Sequence, residues 1–196
     1  MHRFITLLLL LTAFFQHALA EGVIPSIDGE AFIKKSVAKP TAGDRLFEFV
    51  REEESFEKWT KLVGYRYQRL PGLSNDPIKY AFAMEQMIKQ QNPAAPVKVS
   101  QNEQSNEAIL DFVTWPVDQS YMELNVFRFA KSKDGNSVVS IQLANKFLPP
   151  KPTFSQDGVN EYERQLKAIR DRRQSWIKQA GEADLQLIEA ELSKGQ

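Results

Sequence analysis

The chain contains no cysteine, and its only two histidines, His2 and His17, both lie among the first twenty residues. Without cysteine there is no disulfide, no thiolate nucleophile and no lipid-modified N-terminal cysteine. If the leading segment is removed, the remaining chain has no histidine either. A Ser-His-Asp triad, a Cys-His pair, a zinc finger and the usual histidine-bearing metal centres are then excluded within one chain. No Asn-x-Ser/Thr acceptor occurs, which suits a bacterial envelope or medium better than a eukaryotic secretory route. An excess of one charge is also lacking. Lys+Arg and Asp+Glu both number 25, and loss of Arg3 leaves 24 against 25, so no net field draws the protein to nucleic acid or an anionic bilayer. The one long apolar run, Phe4 to Phe15, is about 12 residues, short of the roughly 20 that span a bilayer as a helix.

That run follows the positive start His2-Arg3 and precedes Ala18-Leu19-Ala20, a small-x-small pattern. Residues 1–20 therefore read as a cleaved secretory signal, and the expected location is periplasmic or secreted, with no stable membrane span after cleavage. An exported protein without disulfides must be held together by its core, which a domain of roughly 150 residues supplies.

Residues 21–44 hold Pro25, Gly29, Pro40 and Gly43 with brief apolar clusters and no persistent period, and read as an N-terminal arm. An α+β domain is expected over 45–147. Arg45 to Arg51 reads as a strand. Phe56, Trp59, Leu62, Val63 and Tyr67 recur at three- and four-residue spacings behind the N-cap Ser55, which predicts a helix to about Gln68 with Glu52, Glu53 and Glu54 at its N-terminus. Asp76-Pro77 opens a helix running to about Gln91, and Asn92-Pro93 stops it. Val97 to Gln101 is a short strand. Asn106 to Phe147 then divides at Pro116–Ser120 and at Asp134-Gly135 into a three-stranded antiparallel meander. A proline-rich connector, 148–158, leads to a C-terminal helical segment, 159–196, that breaks or kinks at Gly181.

The stretch FEFVREEESFEKWTKLVGYR, the Pro-led helix, the Asn92-Pro93 stop and EAILDFVTWP resemble a group of small, uncharacterised secreted or periplasmic domains of Gram-negative bacteria. The similarity covers about Arg45 to Phe147, with Trp59, Asn92-Pro93 and Trp115-Pro116 as its markers. The order of elements is also similar to PsbP-like domains. Neither resemblance implies a reaction or a ligand.

Residue parity turns the meander into two faces. Pairing Trp115 with Tyr121 sets Asp111 opposite Asn125. Flanking Asp134-Gly135 with Lys133 and Asn136 sets Asn125 opposite Ala144, and Glu123 opposite Lys146. One face is then Ala108, Leu110, Phe112 and Thr114 beside Met122, Leu124, Val126, Ala130, Val139, Ile141, Leu143 and Phe147, a core with Arg128 and Asn145 as polar exceptions. The other interleaves carboxylates, amides and rings. Its ligand-binding candidates are Asp111, Trp115, Tyr121, Glu123, Asn125, Gln142 and Lys146, and Asp111 with Glu123 is a candidate acid–base pair of the kind glycosidases use. The plainer reading is a face with an ordinary Glu123–Lys146 ion pair and aromatics packed under a helix.

The inventory predicts no cofactor and no metal site. It points to a non-enzymatic partner- or ligand-binding domain, with an Asp111/Glu123 hydrolase and an envelope assembly factor acting through the C-terminal helix as alternatives.

Overall fold

A computed structural model describes residues 23–151 and 154–194; the expected signal segment lies outside the described residues. The protein is α+β. Its centre is a seven-stranded, wholly antiparallel sheet. In chain order the sheet strands are β3 (Lys34–Ala38), β4 (Arg45–Val50), β5 (Lys61–Gln68), β6 (Val97–Asn102), β7 (Glu107–Thr114), β8 (Met122–Lys131) and β9 (Val138–Phe147), arranged in space as β3-β4-β5-β9-β8-β7-β6. A small separate hairpin, β1 (Ser26–Ile27) and β2 (Glu30–Ala31), precedes them.

Helix α1 (Pro77–Gln91) covers one face across β6, β7 and β8, while α2 (Gln156–Glu182) and α3 (Leu185–Ser193) cover the other. Asp76 caps α1 as its residue type predicts, accepting from the N–H groups of Ile78 and Lys79, with Pro77 in the first turn. The α2/α3 side holds the main core, built from residues such as Phe47, Val63, Leu124, Leu143, Trp176 and Leu192. The α1 side holds a second cluster around Ala81, Leu110 and Phe129.

The expected helix over 55–68 is instead a loop followed by β5. Val63, Tyr65 and Tyr67 point to one face and Leu62, Gly64 and Arg66 to the other, so a two-residue period buried on both sides mimics a helical stripe. Glu54 accordingly caps no helix. It is buried and accepts from Arg51 Nη2 (2.8 Å), the Thr60 N–H (2.7 Å) and the Thr60 hydroxyl (2.6 Å).

The arm lies on the domain. Asp28 and Gly29, both at positive φ, turn the β1–β2 hairpin, and β3 joins the sheet edge beside β4. Asp28 accepts from Trp176 Nε1 at 3.0 Å, which fastens this hairpin to α2. Arg128, read as a polar exception, closes the C-terminus of α2. Its Nη1 donates to the carbonyls of Gly181 and Ala183 at 2.8 Å each, and its other nitrogens hold Glu107. Helix α2 thus runs through Gly181 and stops where Arg128 meets its last carbonyls.

Candidate functional site: clefts beside α3

The register of the meander decides which candidates can meet. Across β8 and β9 it is as expected, with Asn125 opposite Ala144 and Glu123 opposite Lys146. Across β7 and β8 it is displaced by one residue: Asp111 faces Val126, and Glu123 faces Thr114. Every β7 side chain therefore changes sides relative to the expectation. Ile109, Asp111 and Val113 turn toward α2, and Ala108, Leu110 and Phe112 turn toward α1. Helices cover both sides of β7, so its two faces are almost equally apolar and their pattern could not select the register.

Asp111 and Glu123 consequently stand on opposite faces. Asp111 is buried beneath α2 and paired with Arg173. Trp115 packs against the same core and lines a small recess with Gln119, Met122 and Pro149. On the α1 side the structure brings Glu123, Asn125 and Gln142 into one chain of hydrogen bonds. Asn125 Nδ2 donates to Glu123 Oε1 (2.9 Å), Gln142 Nε2 to Asn125 Oδ1 (2.7 Å), and Arg66 Nη2 to Gln142 Oε1 (2.8 Å). Arg66, missed while 55–68 was read as a helix, completes the chain; a strand reading would have placed it on the Gln142 face. Lys146 makes no ion pair with Glu123 among the described residues. Its Nζ sits 3.8 Å from the Trp59 ring centroid and 5.2 Å from that of Tyr121.

Asn125 and Gln142 are buried and each is bonded on both sides, so the arrangement ties β5, β8 and β9 together; only Arg66 Nε, buried at its end, has no acceptor among the described residues. Gly64, opposite Gln142, makes room for it: a Cβ at position 64 would lie 3.2 Å from Gln142 Oε1.

Open space is found on the other face, around α3. This short helix is anchored by Leu185, Ile188 and Leu192 and by an ion pair from Lys35 Nζ to the buried Glu191 at 2.9 Å. Burial alone would raise the Glu191 carboxyl, but Lys35 and Lys194 hold it below its ordinary range. On one side, between α3, the end of α2 and residues 23–27, is a cleft of about 300 Å³. Val63, Ile141, Leu143 and Ile188 form its floor, and Gln179, Glu182 and Asp184 its rim. Tyr65 also lines it. Burial, reinforced by the Glu191 charge, pushes the Tyr65 hydroxyl up to about 12, and that hydroxyl has no hydrogen-bond partner among the described residues. On the other side of α3 is a more polar cleft of about 630 Å³, lined by Arg45, Tyr67, Arg69, Lys133, Asp134 and Glu189, among others. None of the sequence candidates lines either cleft.

Among the described residues no group of three or more Asp and Glu side chains is placed to hold a metal ion, and no helix is long and apolar enough to cross a membrane. A protein-family model matches residues 25–185, from the start of the arm hairpin to the first residue of α3. No curated protein matches the chain.

Proposed function

Because the chain belongs to this uncharacterised family, whose match takes in the whole sheet with α1 and α2, we propose a role from the geometry alone: an exported, non-catalytic domain that binds a small, largely apolar ligand in the cleft between residues 23–27 and the α2–α3 corner. The observation that carries this reading is the composition of that cleft, an apolar floor of sheet residues with one neutral, unpartnered tyrosine hydroxyl and a few polar groups on the rim. Such a site suits an acyl chain or a ring carrying a hydrogen-bond acceptor, and its size is at the lower end of the roughly 300–1,000 Å³ typical of ligand pockets. Export is supported by the signal-like pattern of residues 1–20.

The hydrolase alternative loses its geometry, since Asp111 and Glu123 are separated by the sheet. The assembly-factor alternative is weakened because Trp176 and Ala180 of α2 are buried against the chain's own core.

The test is titration of the purified protein with medium-chain alcohols and aromatic amides, read by calorimetry. Binding to the wild type should be saturable. It should weaken about tenfold, or 1.4 kcal/mol, in Ala183→Leu, which adds volume at the cleft, and in Tyr65→Phe, which removes the hydroxyl. Equal affinity in all three folded proteins would refute this placement.

A further inference from the structure

The second cleft beside α3 differs in chemistry from the first. Its cationic side chains are Arg45, Arg69 and Lys133, and its acidic ones are Asp134 and Glu189. The acids are already occupied. Asp134 accepts from the Ser132 hydroxyl (2.6 Å), the Asn136 N–H (3.0 Å) and the Tyr67 hydroxyl (3.3 Å), while both Glu189 oxygens accept from the Lys133 N–H at 3.1 Å. The cations are not. Among the described residues none of the three side chains has a carboxylate partner.

Arg45 is held through its side chain, and Arg69, whose side chain is exposed, through its backbone. Arg45 Nη1 donates to the Asp44 carbonyl at 2.7 Å, while its Nε is buried with no acceptor. The Arg69 N–H donates to the buried Asp44 carboxylate at 2.9 Å, which pins the end of β5 to the β3–β4 turn. The Arg69 guanidinium lies directly against Gly43. That glycine has φ +97°, and a Cβ there would come within 2.9 Å of Arg69 Cζ and Nε. Position 43 thus needs glycine for its backbone angle, and a Cβ there would push the Arg69 guanidinium aside. The fold places two guanidinium groups beside a cavity and pairs neither with a carboxylate; with Asp134 and Glu189 still charged, three cations against two anions leave the lining net positive by one.

We propose that this cleft is an oxyanion-binding site, in which Arg45 and Arg69, assisted by Lys133, hold a phosphate or phosphate-ester group. A tetrahedral oxyanion offers several acceptor oxygens to two planar donor forks and a mobile ammonium, the arrangement in which arginine pairs most strongly. The site is separate from the apolar cleft, on the opposite side of α3, and stands whether or not that cleft binds anything.

The experiment titrates the full chain with inorganic phosphate at low ionic strength, following amide shifts by NMR. A second arm measures sedimentation with vesicles of neutral lipid, with and without phosphatidylglycerol. The expected result is saturable binding, with the largest shifts at residues 43–45, 69 and 133. Arg45→Gln and Arg69→Gln should each weaken it about tenfold. Lys98→Gln, at the exposed β6 edge, should leave it unchanged. Gly43→Ala, which displaces the Arg69 side chain, should weaken it while leaving the rest of the spectrum in place. Binding of inorganic phosphate identifies a soluble anion; binding only to phosphatidylglycerol vesicles, with the same arginine dependence, identifies a lipid headgroup. No saturable binding in either arm, or binding that survives both arginine substitutions, overturns the proposal.

Discussion

Replacing Arg128 with methionine, a side chain of comparable length without charge, should cost about 3 kcal/mol of stability. The guanidinium makes two well-formed charged hydrogen bonds to the carbonyls of Gly181 and Ala183, and a longer contact to that of Ala180 at 3.4 Å. At about 1.5 kcal/mol each, the low end for bonds involving a charged group, the two short bonds account for about 3 kcal/mol. The pair with Glu107, at 3.0 Å and partly solvated, adds less than about 1 kcal/mol. The methionine recovers part of that in apolar contact with the core. In urea unfolding the midpoint should fall by about 1–3 M with the slope unchanged, given slopes of about 1–3 kcal/mol/M for domains of this size. Hydrogen exchange should show faster opening at the last turn of α2 and in α3, because the bonds lost are those that close α2 against β7 and β8. Arg128→Lys should recover less than half of the loss, since one ammonium cannot hold Glu107 and several carbonyls together. A loss below about 0.5 kcal/mol in Arg128→Met would show that water satisfies these carbonyls equally well, and would refute the assigned role.

Acid sensitivity should reside partly in Glu54. Burial acts to raise its carboxyl, but the bonds from Arg51 and Thr60 prevail and hold it at about 2, below the ordinary 4.5. A depressed folded pKa contributes stability that is complete above the unfolded value and is lost as pH falls from about 4.5 toward 2, worth up to about 3 kcal/mol. The difference in stability between wild type and Glu54→Gln should therefore be largest near pH 7 and shrink over that window. A difference independent of pH would show that Glu54 acts through packing alone. Gly64→Ala should destabilise by about 1–3 kcal/mol, because its Cβ would press on Gln142 and break the bond from Arg66. A crystal structure of the variant with the Arg66–Gln142–Asn125–Glu123 chain intact, together with unchanged stability, would contradict this.

Local chemistry was enough to make several elements legible. The Asp76-Pro77 opening of α1, the Asp134-Gly135 turn between β8 and β9, and the strand limits of the meander depend on dihedral preferences and caps that act within a few residues. The pairing of Glu123 with Lys146 and of Asn125 with Ala144 followed from that one tight turn. Where the chain is buried on two sides, the signal failed. Strand β5 carries apolar residues on both faces and was indistinguishable from a helical stripe, and β7 slipped by one residue because either face suits a core.

The sequence by itself determined the chemical inventory, the α+β class and the three-stranded meander, since composition, caps and tight turns are local properties. Only the tertiary structure decided which side chains share a space. Asp111 and Glu123 were parted by a register that long-range packing sets. Arg45, Arg69 and Lys133, separated along the chain, were gathered at one cleft by the β3–β4 turn, the end of β5 and the β8–β9 hairpin. Strand order and helix docking make such meetings, and no local preference encodes them.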